Sequence, residues 1–543
     1  MKMLYFRAAT FAPMRVVLAT IAALVLTFDF DSPAQTTAPP AYYANPVLRG
    51  DYPDPSIVRL GQNYIATATS SEWAPIFPIL YSRDLVNWDV VGSVFTIRPL
   101  WAVANFWAPE ISIRGDLFCV YYVARKKGGP LSVALATSHN PFGPYEDHGL
   151  LVSQEDGSID PMAVRDDNGQ YYLIWKEDGN SRRRPTPIWA QKLSADGASL
   201  VGEMKELIRN DAPWEGGVVE GPFILKHDGY FYLFYSGNGC CGPKCTYSMG
   251  VARSKNVLGP YEKNPANPIL AENNDWKCPG HGSIVTDPRG RTFLLYHSYQ
   301  AEGSIYVGRQ GMLDEVTWGA DGWPAINEGK GPSTRHLAPF SLPQLAPSPL
   351  FSDHFSSATL NPAWQWPIDQ QPRYRLLSKA VSGLSLEPQL GSSDNLSGVL
   401  ALSARASDYT VGVELDRNDL GPGSIAGVAA YGDPRNAIYV ACTQHEATLY
   451  RRRDGKDEKI SSATLMPGPA LYLKMAATQG RNFNFSLSED NRNWKPLGKN
   501  TDMESSLLPP WDRGIRFALI AGGEGHATYR SISMGKGPAP ADH

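Results

Sequence analysis

The chain has 543 residues and a formal net charge of −4, long enough for two or three domains at roughly 150 residues each, although all-β units run longer as single domains. A near-neutral surface without a basic stripe excludes the electrostatic footprint of a nucleic-acid binder. Its 14 Trp and 26 Tyr are many for a polar chain; most are expected to fill β-structure, and the remainder suit stacking against sugar rings.

At the amino terminus, Lys2, Arg7 and Arg15 precede the apolar run 16–28, and Ser32-Pro33-Ala34 supplies small residues for cleavage before Gln35. This composition predicts a secretory leader over 1–34 and a disordered linker over 35–43, with a start at Met14 as an open alternative. Export to the periplasm or the outside is expected. The 13-residue run is too short for stable membrane insertion, and no cysteine near the cut suggests a lipid anchor.

From Asp51-Tyr52-Pro53-Asp54-Pro55-Ser56 onward a plan repeats. An acid stands at the mouth of a strand (57–60), the strand ends at Gly61, and a second strand follows at 64–68. Glu110 precedes 111–114 and Gly115, Asp160 precedes 162–164 and Gly169, Glu220 precedes 223–225 and Gly229, and His281 precedes 283–285 and Gly290. The five glycines are 54, 54, 60 and 61 residues apart, the period of a propeller blade rather than of a helical repeat. Aromatic and β-branched second strands follow them, such as Tyr171-Tyr172-Leu173-Ile174-Trp175 and Tyr230-Phe231-Tyr232-Leu233-Phe234. The pattern predicts a five-bladed β-propeller over 44–330. In that fold the first strand of each blade runs along the axis, so Asp54, Glu110, Asp160, Glu220 and His281 are expected to share one pocket. The loops 70–75, 125–129, 176–184, 237–245 and 298–303 are expected to rim it.

Cys240, Cys241 and Cys245 lie in one of these loops, with Cys278 just ahead of His281. Zinc would need better-spaced pairs of ligands, so oxidation is expected instead: two disulfides or a vicinal one staple the loop. Cys119 and Cys442 are expected to be buried, unpaired thiols. A Pro-rich linker is expected over 331–350. Beyond it, short alternating segments at 397–403, 409–415, 425–431, 437–442, 447–452, 470–476, 483–487 and 514–520 predict a β-sandwich over 351–538.

Several carboxyl groups around one axial pocket are what glycoside hydrolysis requires, one to protonate the departing oxygen and one to activate water or attack carbon. No Gly-x-Ser-x-Gly elbow, basic cluster or metal cage points to acyl or phosphoryl chemistry. Propellers also serve as lectins and scaffolds, so a non-catalytic sugar-binding propeller stands as the rival reading.

Asn45-Pro46-Val47-Leu48 leading to Asp51-Tyr52-Pro53-Asp54-Pro55-Ser56, then Glu72-Trp73-Ala74-Pro75, Trp107-Ala108-Pro109-Glu110, Glu220-Gly221-Pro222 and Gly280-His281-Gly282 strongly resemble glycoside hydrolase family 43. The match runs in order over about residues 44 to 328. The resemblance implies an inverting enzyme that removes β-D-xylosyl or α-L-arabinofuranosyl units from hemicellulose-type oligo- or polysaccharides. A galactan- or galactofuranose-directed specificity stands as the alternative. It further implies Asp54 as general base, Glu220 as general acid and Asp160 as the carboxylate that orients and tunes that acid. Asp51 is expected to cap a turn, and Glu110 to hydrogen-bond the pocket floor. Glu220 is expected in a partly apolar site that keeps it protonated.

Trp73 as a sugar platform, Arg309 on substrate hydroxyls, and Lys176 with Asp178 on a rim loop are the substrate-binding residues the resemblance suggests. His281 resembles a central histidine that either helps to hold a hydrated calcium ion or contacts substrate; no other cofactor is expected. The carboxyls of Asp54 and Glu220 are expected about 6.5 to 9.5 Å apart, as inversion demands. For the second domain two roles are open, closing the pocket with a loop or gripping polysaccharide, and the oligomeric state is open too.

Overall fold

The computed structural model describes residues 41–301, 304–339, 350–378, 381–498 and 503–537. The expected leader, and parts of both expected linkers, lie outside the described residues. Five four-stranded antiparallel sheets follow one another along the chain. Their inner strands are Ser56–Leu60, Ala102–Arg114, Ser158–Arg165, Val219–His227 and Trp276–Thr286. Each packs beside the next, and the fifth packs against the first, which closes a five-bladed propeller. The inner strands turn back at Gly61, Gly115, Gly169, Gly229 and Gly290, all with φ between 63° and 84°, a left-handed region that tight hairpins use and glycine enters freely.

Most residues of the second strands are buried. In Tyr230–Gly237 every residue after the first is buried, because the strand has neighbours on both edges and blades on both faces. The ring is fastened by Tyr42–Ala44, which pairs antiparallel with Arg335–Leu337, and by Asn45, whose amide donates to the Leu313 carbonyl at 3.0 Å while its oxygen accepts from the Leu313 N–H. Arg335–Leu337, and Tyr42–Ala44 but for its last residue, fall in segments expected to be linkers. They are too short for alternation to show, and one sits among prolines.

The second domain is a β-sandwich. Gly398–Ser403, Arg516–Gly523, Ser424–Asp433, Asn436–Cys442, Glu446–Arg453 and Lys456–Thr464 form one sheet, and a nine-stranded sheet built around Tyr409–Asp416 and Ala527–Lys536 forms the other. Tyr409–Asp416 shows why it packs: Tyr409, Val411, Val413 and Leu415 are buried and every residue between them is not, a period of two facing one core. Lys456–Thr464 escaped sequence reading because it is an edge strand with no buried side chain.

A dense seam joins the domains. Trp73–Ala74 pairs with Trp366–Pro367, and Trp73, 2% exposed, packs edge-on to Tyr431 with the Arg516 guanidinium 5.1 Å from its ring. The loop 70–75 therefore faces the second domain rather than the pocket, and Trp73 is not the expected sugar platform. Asp51 does not merely cap a turn. Its carboxylate accepts from the Arg309 N–H at 3.2 Å, the Gly514 N–H at 3.0 Å and the Arg516 guanidinium at 2.9 Å. With Asp51 and Arg516 side chains 3% and 2% exposed, removing one charge strands the other. Arg516→Met should cost about 3–5 kcal/mol in urea unfolding, and a loss below about 1 kcal/mol would place the pair with exposed ones.

Candidate active site

Where each inner strand begins to face the axis, one residue adopts left-handed backbone: Asp54 (φ 50°), Ala108 (41°), Asp160 (55°), Gly221 (58°) and His281 (41°). The first four stand directly before a proline. In the last four blades the strand pairing slips at this point, leaving two residues unpaired. Such a bulge re-aims a side chain out of the ladder. Glu220 thus stands one residue ahead of its blade's equivalent position, and Glu110 two residues beyond; the five expected residues do not share one register. At Gly221 a side chain is excluded twice over, by its φ and by the His281 ring, which a Cβ would meet at 2.9 Å.

Asp54 is held by groups from four places. Thr69 Oγ1 donates to its Oδ2 at 2.7 Å, Arg309 donates to its Oδ1 at 2.9 Å, and its own N–H donates to His297 Nδ1 at 3.1 Å. His281 Nδ1 lies 3.5 Å from the same Oδ1. Burial alone would raise this carboxyl, but the Arg309 guanidinium, with His281 next, holds it well below the usual carboxylate range. Burial in turn lowers His297 to about 4, leaving a neutral ring that accepts from Asp54.

Across the same cavity sit Asp160, Glu220 and Lys176. Asp160 Oδ2 accepts from the Gly221 N–H at 2.8 Å, tying it to the residue after Glu220. Burial raises the Asp160 carboxyl; His281 opposes this and Glu220 adds to it, and the result stands at about 6. Lys176, its side chain 1% exposed, donates to Glu220 Oε2 at 2.7 Å and to Asp178 and Asn180 at 3.0 Å. For Glu220 burial is outweighed by the Lys176 ammonium, so its carboxyl is lowered. That departs from the apolar, proton-retaining site expected for it. Of the two neighbouring acids, Asp160 holds the proton more tightly.

His281 Nδ1 also lies 3.9 Å from Asp160 Oδ2, so it stands between the two carboxylates. Among the described residues no three His, Cys, Asp or Glu side chains are grouped to hold a metal ion, and Asp54 already has a cation against it. These residues do not fit a directly ligated calcium ion. Glu110 accepts from Ser56 and is pushed by burial up to about 8; it is not among the residues lining the cavity.

The cavity holds about 640 Å³, within the usual range for small-ligand sites. Asp54, Asp160, Glu220, His281, Lys176, Asp178 and Arg309 all line it, with Arg125 and Gly129 from the second blade's rim loop and Cys240 and Cys241 from the fourth. Sequence reading missed Trp107, and it missed Trp511 and Asp512, which reach the cavity from the second domain. Trp511 meets Trp107 edge-on at 5.8 Å, and the Asp512 carbonyl accepts from Arg309 at 3.2 Å. Nothing in a sequence more than 450 residues downstream of Asp54 signals that approach.

A five-bladed propeller with opposed carboxyl groups at its hub, roofed by a sandwich, defines a class of carbohydrate-cleaving folds. The chain belongs to the glycosyl hydrolases family 43, whose model matches residues 43–324, and residues 352–525 match the beta xylosidase C-terminal concanavalin A-like domain. A xylosidase/arabinosidase of Butyrivibrio fibrisolvens is 30% identical over 53% of this chain and 57% of its own length, so the chain spans little more than half of that relative. A xylan 1,3-beta-xylosidase of a Vibrio species is 27% identical over 84% of this chain and 90% of its own. The solved xylan beta-1,4-xylosidase of Bacillus halodurans C-125 shares the fold, with a TM-score of 0.77 at 23% identity over 91% of this chain and all of that one.

Because the Lys176 ammonium is what lowers Glu220, Lys176→Met should raise the pH at which the Asp160 and Glu220 pair releases its proton, by roughly one to three pH units. A carboxyl carbon NMR titration reads this directly, and an unchanged curve would remove Lys176 from the account.

Proposed function

We propose that this protein is an inverting glycoside hydrolase that removes pentose units, β-D-xylosyl or α-L-arabinofuranosyl, from hemicellulose-type oligo- or polysaccharides. The observation that carries the reading is the opposition of two acid environments across one cavity. Asp54, kept ionised by Arg309, accepts a proton from water as the water attacks the anomeric carbon. Glu220 protonates the departing oxygen, and Asp160, whose Oδ2 accepts from the Gly221 N–H, orients and tunes that acid. Arg309, His281 and Asp178 line the space a sugar would fill and offer its hydroxyls polar partners. No step uses a metal ion.

Glycone binding displaces water from the cavity, which adds to the burial that raises the Asp160 carboxyl. The alkaline limb of the pH profile then belongs to the Asp160 and Glu220 pair, since the acid must be protonated to act. The two disulfides, Cys240 to Cys241 and Cys245 to Cys278, support an oxidising compartment and hence the export expected from the amino-terminal segment.

Aryl β-xylosides and aryl α-L-arabinofuranosides test the activity, and proton NMR of the first-formed sugar tests inversion. Asp54→Ala should lower kcat about 10²–10⁴-fold with sugar binding retained. Turnover on neither glycoside, or an Asp54→Ala variant as active as wild type, would sink the assignment.

A further inference from the structure

Cys240 and Cys241, adjacent in the chain, are bonded to each other, and both line the cavity. Their loop follows Tyr230–Gly237, the strand paired with the one bearing Glu220, where Glu220 lies opposite Ser236. The disulfide ring therefore stands on the blade of the acid, a few residues beyond its cross-strand partner. It is held there firmly. Cys245 is bonded to Cys278 on the inner strand that carries His281, Thr246 N–H donates to the Gly239 carbonyl at 2.9 Å, and Cys240 packs against Tyr247, Cys278 and Tyr299.

Trp511 is 61% exposed, and a Cβ placed on Gly242 would lie 3.7 Å from its carbonyl oxygen. The loop of the second domain thus abuts the loop of the ring. Deeper in the cavity the lining is charged: Asp54, Arg309, Asp160 and Lys176 are all buried. The ring and Trp511 are partly exposed and apolar. A sugar bound at the charged end must send its leaving group toward the acid's blade, because Glu220 has to reach the oxygen between them.

We propose that the Cys240–Cys241 disulfide is a specificity-determining wall of the leaving-group subsite, where it packs against the C–H face of the departing sugar ring. A disulfide has no donor to compete for water, and its sulfurs are polarisable. Closed into one ring with the backbone, the two side chains have little rotamer freedom left to lose on binding. The inference rests on the glycosidase reading above and adds to it the chemistry of the leaving group that the site accepts.

The test compares two substrates with the same pentose, a glycosyl fluoride, whose leaving group has no face to pack, and the matching disaccharide. In Cys240→Ala/Cys241→Ala, kcat/KM on the disaccharide should fall about tenfold while that on the fluoride stays within about twofold, because only the disaccharide draws remote binding energy from the wall. Retained fluoride turnover also reports that the variant is folded. An equal fall on both substrates, or no fall on the disaccharide, overturns the proposal. Wild-type protein inert on both overturns the glycosidase reading and this inference with it. Independently of any cysteine variant, a structure of Asp54→Asn bound to the disaccharide should place leaving-ring carbons within about 4 Å of a Cys240 or Cys241 sulfur; a ring bound away from both sulfurs overturns the proposal.

Discussion

The Asp51 carboxylate is the constraint on which the rest of the site depends. It is buried at the meeting of two domains and takes hydrogen bonds from the Arg309 backbone, the Gly514 backbone and the Arg516 guanidinium. A buried carboxylate is costly unless every lone pair is engaged, and here the donors come from the last blade and from the sandwich. Satisfying Asp51 fixes the backbone of Arg309, whose side chain then spans from Asp54 Oδ1 to the Asp512 carbonyl. The charge beside the candidate base is thus placed by a contact that neither domain makes alone. At Gly308, just before Arg309, a Cβ would lie 2.3 Å from Asp51 Oδ1, so the approach tolerates no side chain.

On this frame the carboxyls differ through their cations. Asp54 faces a guanidinium, which cannot lose its charge, and stays ionised. Glu220 faces the Lys176 ammonium, and Asp160 faces Glu220. Burial and Glu220 raise the Asp160 carboxyl while Lys176 lowers that of Glu220, and the Gly221 N–H that Asp160 accepts from ties Asp160 to the residue after Glu220.

Much of this was legible in the chain itself. The spacing of turn glycines and the aromatic second strands reveal five blades, because hairpin turns and buried strands impose local composition. The acids at 54, 160 and 220 stand out because the period brings them to one hub. What stayed hidden depends on contacts between distant segments. Nothing around Lys176 says that it meets Glu220, and nothing around Trp73 says that a second domain covers it. The slip of register at Gly221 is readable only in hindsight, from the X-Pro step shared by Asp54, Ala108, Asp160 and Gly221. Trp511 carries no local signal at all, being one exposed aromatic in a Pro-rich turn.

The left-handed backbone at Asp54, Asp160 and His281 limits what divergence can do to this pocket. That conformation is least unfavourable for glycine, asparagine, aspartate and histidine and most unfavourable for β-branched residues. Three hub positions are therefore confined to a small alphabet that is already rich in acids, bases and amides. Change that respects the backbone can silence one of these groups, by amide for acid, more readily than it can install a new kind of chemistry. New preferences are left to arise at the positions of the surrounding loops that keep ordinary backbone, such as Cys240 and Cys241.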